Sequence, residues 1–117
     1  MEAHELRIGN YFKVYQTEEK VYDIFYDTDE GVRFINDYNI SIIEPIPLTE
    51  EWLLKSGADK VDNTEFTINR FRLKYQDVYK FWYVTDLIDH TAYITKIEYV
   101  HEYQNMFFAL NGDDLKL

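Results

Sequence analysis

The sequence predicts an α+β domain: an N-terminal SH3-like small antiparallel barrel or curled sheet, then a short helix, a β-hairpin and a C-terminal helix. Three observations carry this. Short runs of aromatic and β-branched residues recur between tight polar turns in the first 45 residues. The stretch 44–57 spells a strand exit, a rigid connector, a capped helix and a stop. Near the end, Val100, Tyr103, Phe107 and Leu110 share one face at helical spacing. The 117 residues fit a single domain, 1–117, divided into the sheet over 1–45, the short helix over 49–57 and the hairpin with the C-terminal helix over 65–117.

Taken in order, Leu6-Arg7-Ile8-Gly9-Asn10 makes a Gly-Asn turn feeding a strand in which Tyr11, Lys13 and Tyr15 alternate with Phe12 and Val14. A second strand fits 21–26. Residues 27–31 read as a hairpin turn with Gly31 at positive φ, and 32–35 return as a third strand. Asn36-Asp37 is another turn, and 40–43 make a short fourth strand. Pro45 and Pro47 then hold Glu44 and Ile46 extended. Thr49 is placed to cap a two-turn helix, with Glu50 and Glu51 at its positive end, Leu48 and Leu53 as a hydrophobic staple, and Gly57 as the stop. So short a helix needs Trp52 and Leu53 to dock it onto something larger.

Past a polar loop at 59–64, residues 66–75 and 78–84 read as two strands joined at Gln76-Asp77. A change of parity in the first strand predicts a bulge near Asn69-Arg70. Residues 93–95 fit a further strand. The last helix begins either at a Thr95–Glu98 capping box or after a strand that runs on through Ile97 and Tyr99, and it ends at Gly112.

Twelve basic and 22 acidic residues leave a net charge of −10, with no terminal tail to carry it. That disfavours a duplex-binding protein and suits either an acidic soluble surface or a face that docks a basic partner or imitates a phosphate backbone. Without cysteine there are no disulfides, thiol nucleophiles or thiolate metal sites. No long apolar run or leader stands out, so the expected location is the cytoplasm, with no membrane partner.

Candidate sites are few. His4, His90 and His101 show no spacing that brings them together, so no metal site is expected. The four glycines are scattered, which removes a phosphate-cradling loop, and no cofactor is expected. His101, Gln104 and Asn105 form a polar stripe beside the apolar one, fit either to bond the strands beneath or to meet a partner. Asp86, Asp89 and His90 could hold a cation or run acid–base chemistry, though turn-forming aspartates are far commoner. Arg70, Arg72, Lys74 and Lys80 interleave with Phe71, Tyr75, Phe81, Trp82 and Tyr83, a pattern that can grip single strands but that also describes an aromatic core with a solvated opposite face.

Three blocks resemble a family of short proteins from phages, prophages and mobile elements of gut-type bacteria. They are Leu6-Arg7-Ile8-Gly9-Asn10, residues 44–57, and 99–110 (Tyr-Val-His-Glu-Tyr-Gln-Asn-Met-Phe-Phe-Ala-Leu), roughly a third of the chain. Met106 and Tyr103 stand where the family's terminal helix has leucines. The resemblance implies a common fold and a mobile-element setting and brings no activity with it. The expected function is non-catalytic protein interaction or self-association, with Trp52, His101, Gln104, Asn105, Arg70 and Arg72 as interaction residues. The alternatives are an acidic decoy for a nucleic-acid-binding protein and a small enzyme using His101 or His90; direct binding of nucleic acid is disfavoured by the charge.

Overall fold

Phe12 and Val14 alternate with Tyr11 and Lys13 along β1 (Tyr11–Val14), which buries one side of the strand and leaves the other toward solvent. In the computed structural model, which describes residues 6–27, 32–88 and 93–117, this strand pairs antiparallel with β2 (Thr17–Lys20). Val14 faces Thr17, so only Tyr15 and Gln16 make the turn. Both take positive φ, 51° and 72°, the mirror-image geometry that matches strand twist. The sequence reading carries the strand through Tyr15; the structure ends it at Val14 because the turn takes Tyr15.

The next meander, β3 (Ile24–Asp27), β4 (Val32–Ile35) and β5 (Tyr38–Asn39), is a separate three-stranded antiparallel sheet. Of the expected turn at 27–31, Asp27 is the last residue of β3 and the rest lies outside the described residues. Asn36 and Asp37, φ 50° and 69°, make the second tight turn. Asn36 is buried there: its side-chain oxygen accepts from the N–H groups of Tyr22 (2.9 Å) and Asp23 (3.2 Å), and its amide donates to the Lys20 carbonyl (2.7 Å). Ile40–Ile42 form one 3-10 turn rather than a strand, since Asn39 caps it through the Ser41 N–H at 2.9 Å. Pairing resumes at Glu44, which exchanges backbone hydrogen bonds with Lys13 (3.0 and 2.9 Å).

The chain forms two compact units. The first joins Met1–Pro47 to Tyr99–Asp113, the second Leu48–Glu98 to Asp114–Leu117. The first unit's core gathers Leu6, Phe12, Val14, Val21, Ile35 and Ile43. Its helix α2 (Val100–Asn111) packs on β1, and Glu102 accepts from the Tyr99 N–H at 3.1 Å. Gly112, φ 78°, ends it. The sequence reading groups this helix with the hairpin; the structure groups it with the N-terminal strands, because its polar side chains bond the start of β1.

In the second unit, helix α1 (Glu50–Lys55) buries Trp52 and Leu53, 6% and 0% exposed. Thr49 stands at its start in extended conformation but makes no side-chain cap, and the helix is closed instead by Gly57 at φ 88°. Five antiparallel strands follow in spatial order β10-β9-β8-β7-β6: β6 (Asp59–Asp62), β7 (Glu65–Ile68), β8 (Phe71–Gln76), β9 (Phe81–Asp86) and β10 (Tyr93–Ile97). The expected polar loop at 59–64 is thus an exposed edge strand over 59–62 and a turn at 63–64. The expected bulge at Asn69-Arg70 is a chain reversal: Ile68 faces Phe71, and Asn69 at φ 55° turns the chain. A reversal changes parity as a bulge does, so the two leave the same mark on the sequence. β10 runs through Ile97, which settles where the last helix starts. Phe66, Phe71, Leu73, Trp82, Val84 and Ile97 are buried on one side of this sheet, with the Trp82 indole N–H donating to the Leu48 carbonyl at 3.1 Å.

Candidate functional site

Gln104 and Asn105 face the start of β1. The Gln104 side chain accepts from the Tyr11 N–H and donates to the Gly9 carbonyl, each at 2.9 Å. Asn105 Oδ1 accepts from Arg7 Nε (2.7 Å) and from Asn10 Nδ2 (2.9 Å). The Arg7 guanidinium lies 4.3 Å from the Phe108 ring centroid, so residues 7–11 are clamped to one helix face by hydrogen bonds and a cation–π contact. His101 is 1% exposed, its ring parallel to that of Tyr99 at 5.8 Å. The polar stripe therefore works inside the first unit. His4, His90 and Asp89 lie outside the described residues.

Trp52 is likewise internal, with Lys55 Nζ 4.6 Å from its ring centroid. Arg70 pairs with Asp86 at 2.5 Å, Arg72 binds Glu65 through both Nε (2.8 Å) and Nη2, and Lys80 meets Asp77 at 3.1 Å. Three of the four cations of the sequence's basic patch are thus engaged by carboxylates. Contact with Asp77 raises the Lys80 pKa, while the Thr64 backbone N–H and then its hydroxyl lower that of Asp62. Hydrogen bonding to Glu19 raises the Tyr38 pKa.

What the patch leaves facing outward is set by alternation. Along β8 and β9, Phe71, Leu73, Trp82 and Val84 point inward, so Arg72, Lys74, Phe81 and Tyr83 share the other face. The register carries that face onto β10, where Tyr93 opposes Thr85 and Lys96 opposes Tyr83. The result is an aromatic row: Tyr79 stacks on Phe81 at 5.7 Å, Phe81 meets Tyr83 edge-on at 4.8 Å, and Tyr83 meets Tyr93 at 5.9 Å. Tyr79 and Tyr93 are 67% and 57% exposed. Lys96 Nζ lies 5.1 Å from the Phe81 ring centroid, and Lys74, opposite Glu65 in the register, is one of the charges that lower the Asp62 pKa. Sequence reasoning missed Tyr79, Tyr93, Lys74 and Lys96 as one surface. The alternation of Phe81 and Tyr83 with Trp82 and Val84 was the available signal; the bulge between Tyr93 and Thr95 hid the contribution of β10.

Charge is divided unequally. The first unit holds four basic and twelve acidic residues, a balance of −8; the second holds eight and ten, a balance of −2. The aromatic row thus belongs to the nearly neutral part of an acidic chain. No group of three or more His, Asp or Glu side chains converges among the described residues, and no helix among them is long and apolar enough to cross a membrane. Comparison with protein-family models, with curated proteins and with solved structures gives no match to this chain.

Proposed function

We propose that the chain is a non-catalytic protein-interaction module of a phage or mobile-element setting, working in the cytoplasm, with the outer face of the five-stranded sheet as its contact surface. The observation that carries this reading is the row Tyr79, Phe81, Tyr83 and Tyr93, flanked by Lys74 and Lys96, on a sheet whose opposite face is already filled by its own core. Aromatic rings that present both an apolar body and a polar tip are the side chains that interfaces enrich. The setting rests on the resemblance of the three sequence blocks. In the same reading, the five short N-terminal strands and the 3-10 turn belong to an SH3-like arrangement.

The test is affinity capture from host lysate with the intact chain and with a Phe81→Ser/Tyr83→Ser/Tyr93→Ser variant whose circular dichroism matches it. A protein retained by the first and lost by the second supports the reading. Retention that ignores the three substitutions, or none at all, removes it.

The concentration of negative charge in the first unit favours a second reading, an acidic decoy for a nucleic-acid-binding protein. It requires salt-sensitive displacement of such a protein from DNA, and absence of displacement at low ionic strength ends it.

A further inference from the structure

Helix α2 ends on Asn111-Gly112, the one Asn-Gly pair in the sequence. We propose that this pair is a self-modification site, at which the chain converts Asn111 to aspartate and isoaspartate when the last turn of α2 opens. Glycine carries no Cβ, so its backbone nitrogen approaches the preceding side chain without hindrance. In the reaction the Gly112 nitrogen, its proton lost to hydroxide, attacks Asn111 Cγ. The N–Cγ bond forms, the Cγ–Nδ2 bond breaks, and ammonia leaves with a proton taken back from water. Water then opens the succinimide ring at the side-chain carbonyl to give aspartate, or at the backbone carbonyl to give isoaspartate. Nothing is oxidised or reduced, and water is the only co-reactant.

The fold sets when this can happen. Asn111 is half-buried, and Gly112, at φ 78°, donates its N–H to the Phe108 carbonyl at 2.8 Å. The proton that must be lost is the one donated, so the closed turn protects the pair. Yet the turn lies at the exposed end of the helix. The buried residues of α2 end at Met106, Phe108 and Leu110 are 40% and 50% exposed, and no basic side chain in the last turn meets the helix dipole. A terminal turn of this kind opens without the rest of its unit. Conversion places a new carboxylate at the negative end of the helix, next to Asp113 and Asp114, and isoaspartate also lengthens the backbone by a methylene. The turn that opened therefore recloses less well. Phe108 lies in that turn, so its contact with Arg7 weakens with it, while the bonds of Gln104 and Asn105 to residues 7–11 sit farther back on the helix and stay.

The experiment incubates the full chain at mildly alkaline pH, in buffer and in urea sufficient to unfold it, and quantifies aspartate and isoaspartate at each asparagine by peptide mapping. In buffer Asn111 should convert ahead of every other asparagine, at least about tenfold more slowly than in urea. Ala109 is exposed in the same turn, and Ala109→Gly should speed conversion in buffer about fivefold by favouring the open turn. Urea well below the unfolding midpoint should leave the wild-type rate nearly unchanged, because opening one turn exposes little surface. An Asn111 that stays intact in buffer, or converts there as fast as in urea, overturns the gated site. So does a rate that ignores Ala109→Gly, or one that climbs steeply in low urea as global unfolding does.

Discussion

Gln104 and Asn105 form, by helical spacing, a polar stripe that can bond the strands beneath or meet a partner, and both bond residues 7–11. Gln104 is 7% exposed and serves two backbone groups at once, the Tyr11 N–H and the Gly9 carbonyl. Gln104→Ala would leave a buried donor and a buried acceptor without their partner, at a cost of about 1–3 kcal/mol. Urea unfolding monitored at two wavelengths measures this, and a loss below about 0.5 kcal/mol would show that water replaces the amide without penalty. Asp62 offers a titratable counterpart. Its carboxylate accepts from the Thr64 N–H at 2.8 Å and the Thr64 hydroxyl at 3.1 Å, which lowers its pKa. A lowered pKa stabilises the folded state fully above the unfolded-chain value, and that contribution disappears as pH falls through the folded one. Asp62→Ala should therefore flatten the acid limb of the stability curve below about pH 4 and leave the neutral region nearly parallel to wild type. Helical spacing shows which side chains share a face but not what lies opposite them. The stripe at 101–105 was legible for that reason, and its engagement with Arg7, Asn10 and Tyr11 was not.

The same distinction holds for elements. Alternation at 11–14 was readable because one face of β1 is buried, and Gly57 and Gly112 mark helix ends by a conformation that glycine favours. Ile40–Ile42 misled, since three β-branched or small residues suit a strand while the Asn39 side chain selects a 3-10 turn. The surface formed by β9 and β10 depends on pairing between residues 81–86 and 93–97, with a one-residue irregularity that local sequence does not display. The β1–β2 turn is the element with the most strain to relieve. Tyr15→Asn/Gln16→Gly places at both positions residues suited to positive φ and should stabilise the first unit by about 1 kcal/mol. A thermal melt checks the gain, and a lower midpoint would mean that the Tyr15 ring contributes packing that outweighs its backbone cost.

At the scale of the whole molecule, the path of the chain is that of an insertion. The first unit is discontinuous in sequence, with Leu48–Glu98 lying between its two parts. The ends of the insert are already side by side: in the first unit the Val100 N–H donates to the Ile46 carbonyl at 2.9 Å and Pro47 bridges Tyr99, and in the second the Leu48 N–H donates to the Glu98 carbonyl at 2.9 Å. Antiparallel ends in that register can be closed by a two-residue turn. Replacing residues 49–97 by Asn-Gly should leave the first unit folded, since Leu6, Phe12, Val14, Val21, Ile35 and Ile43 form a core that draws on none of the removed residues. The shortened chain has roughly 70 residues, where a single core gives only a few kcal/mol, and its net charge is still strongly negative, so the fold should be marginal at low salt and gain several degrees in midpoint as screening increases. Amide dispersion in a proton–nitrogen correlation spectrum is the direct measurement. Dispersed resonances for β1, β4 and α2 would establish that the N-terminal strands and the last helix make one independent folding unit, whereas a collapsed spectrum at every ionic strength would show that the inserted sheet is needed to hold them.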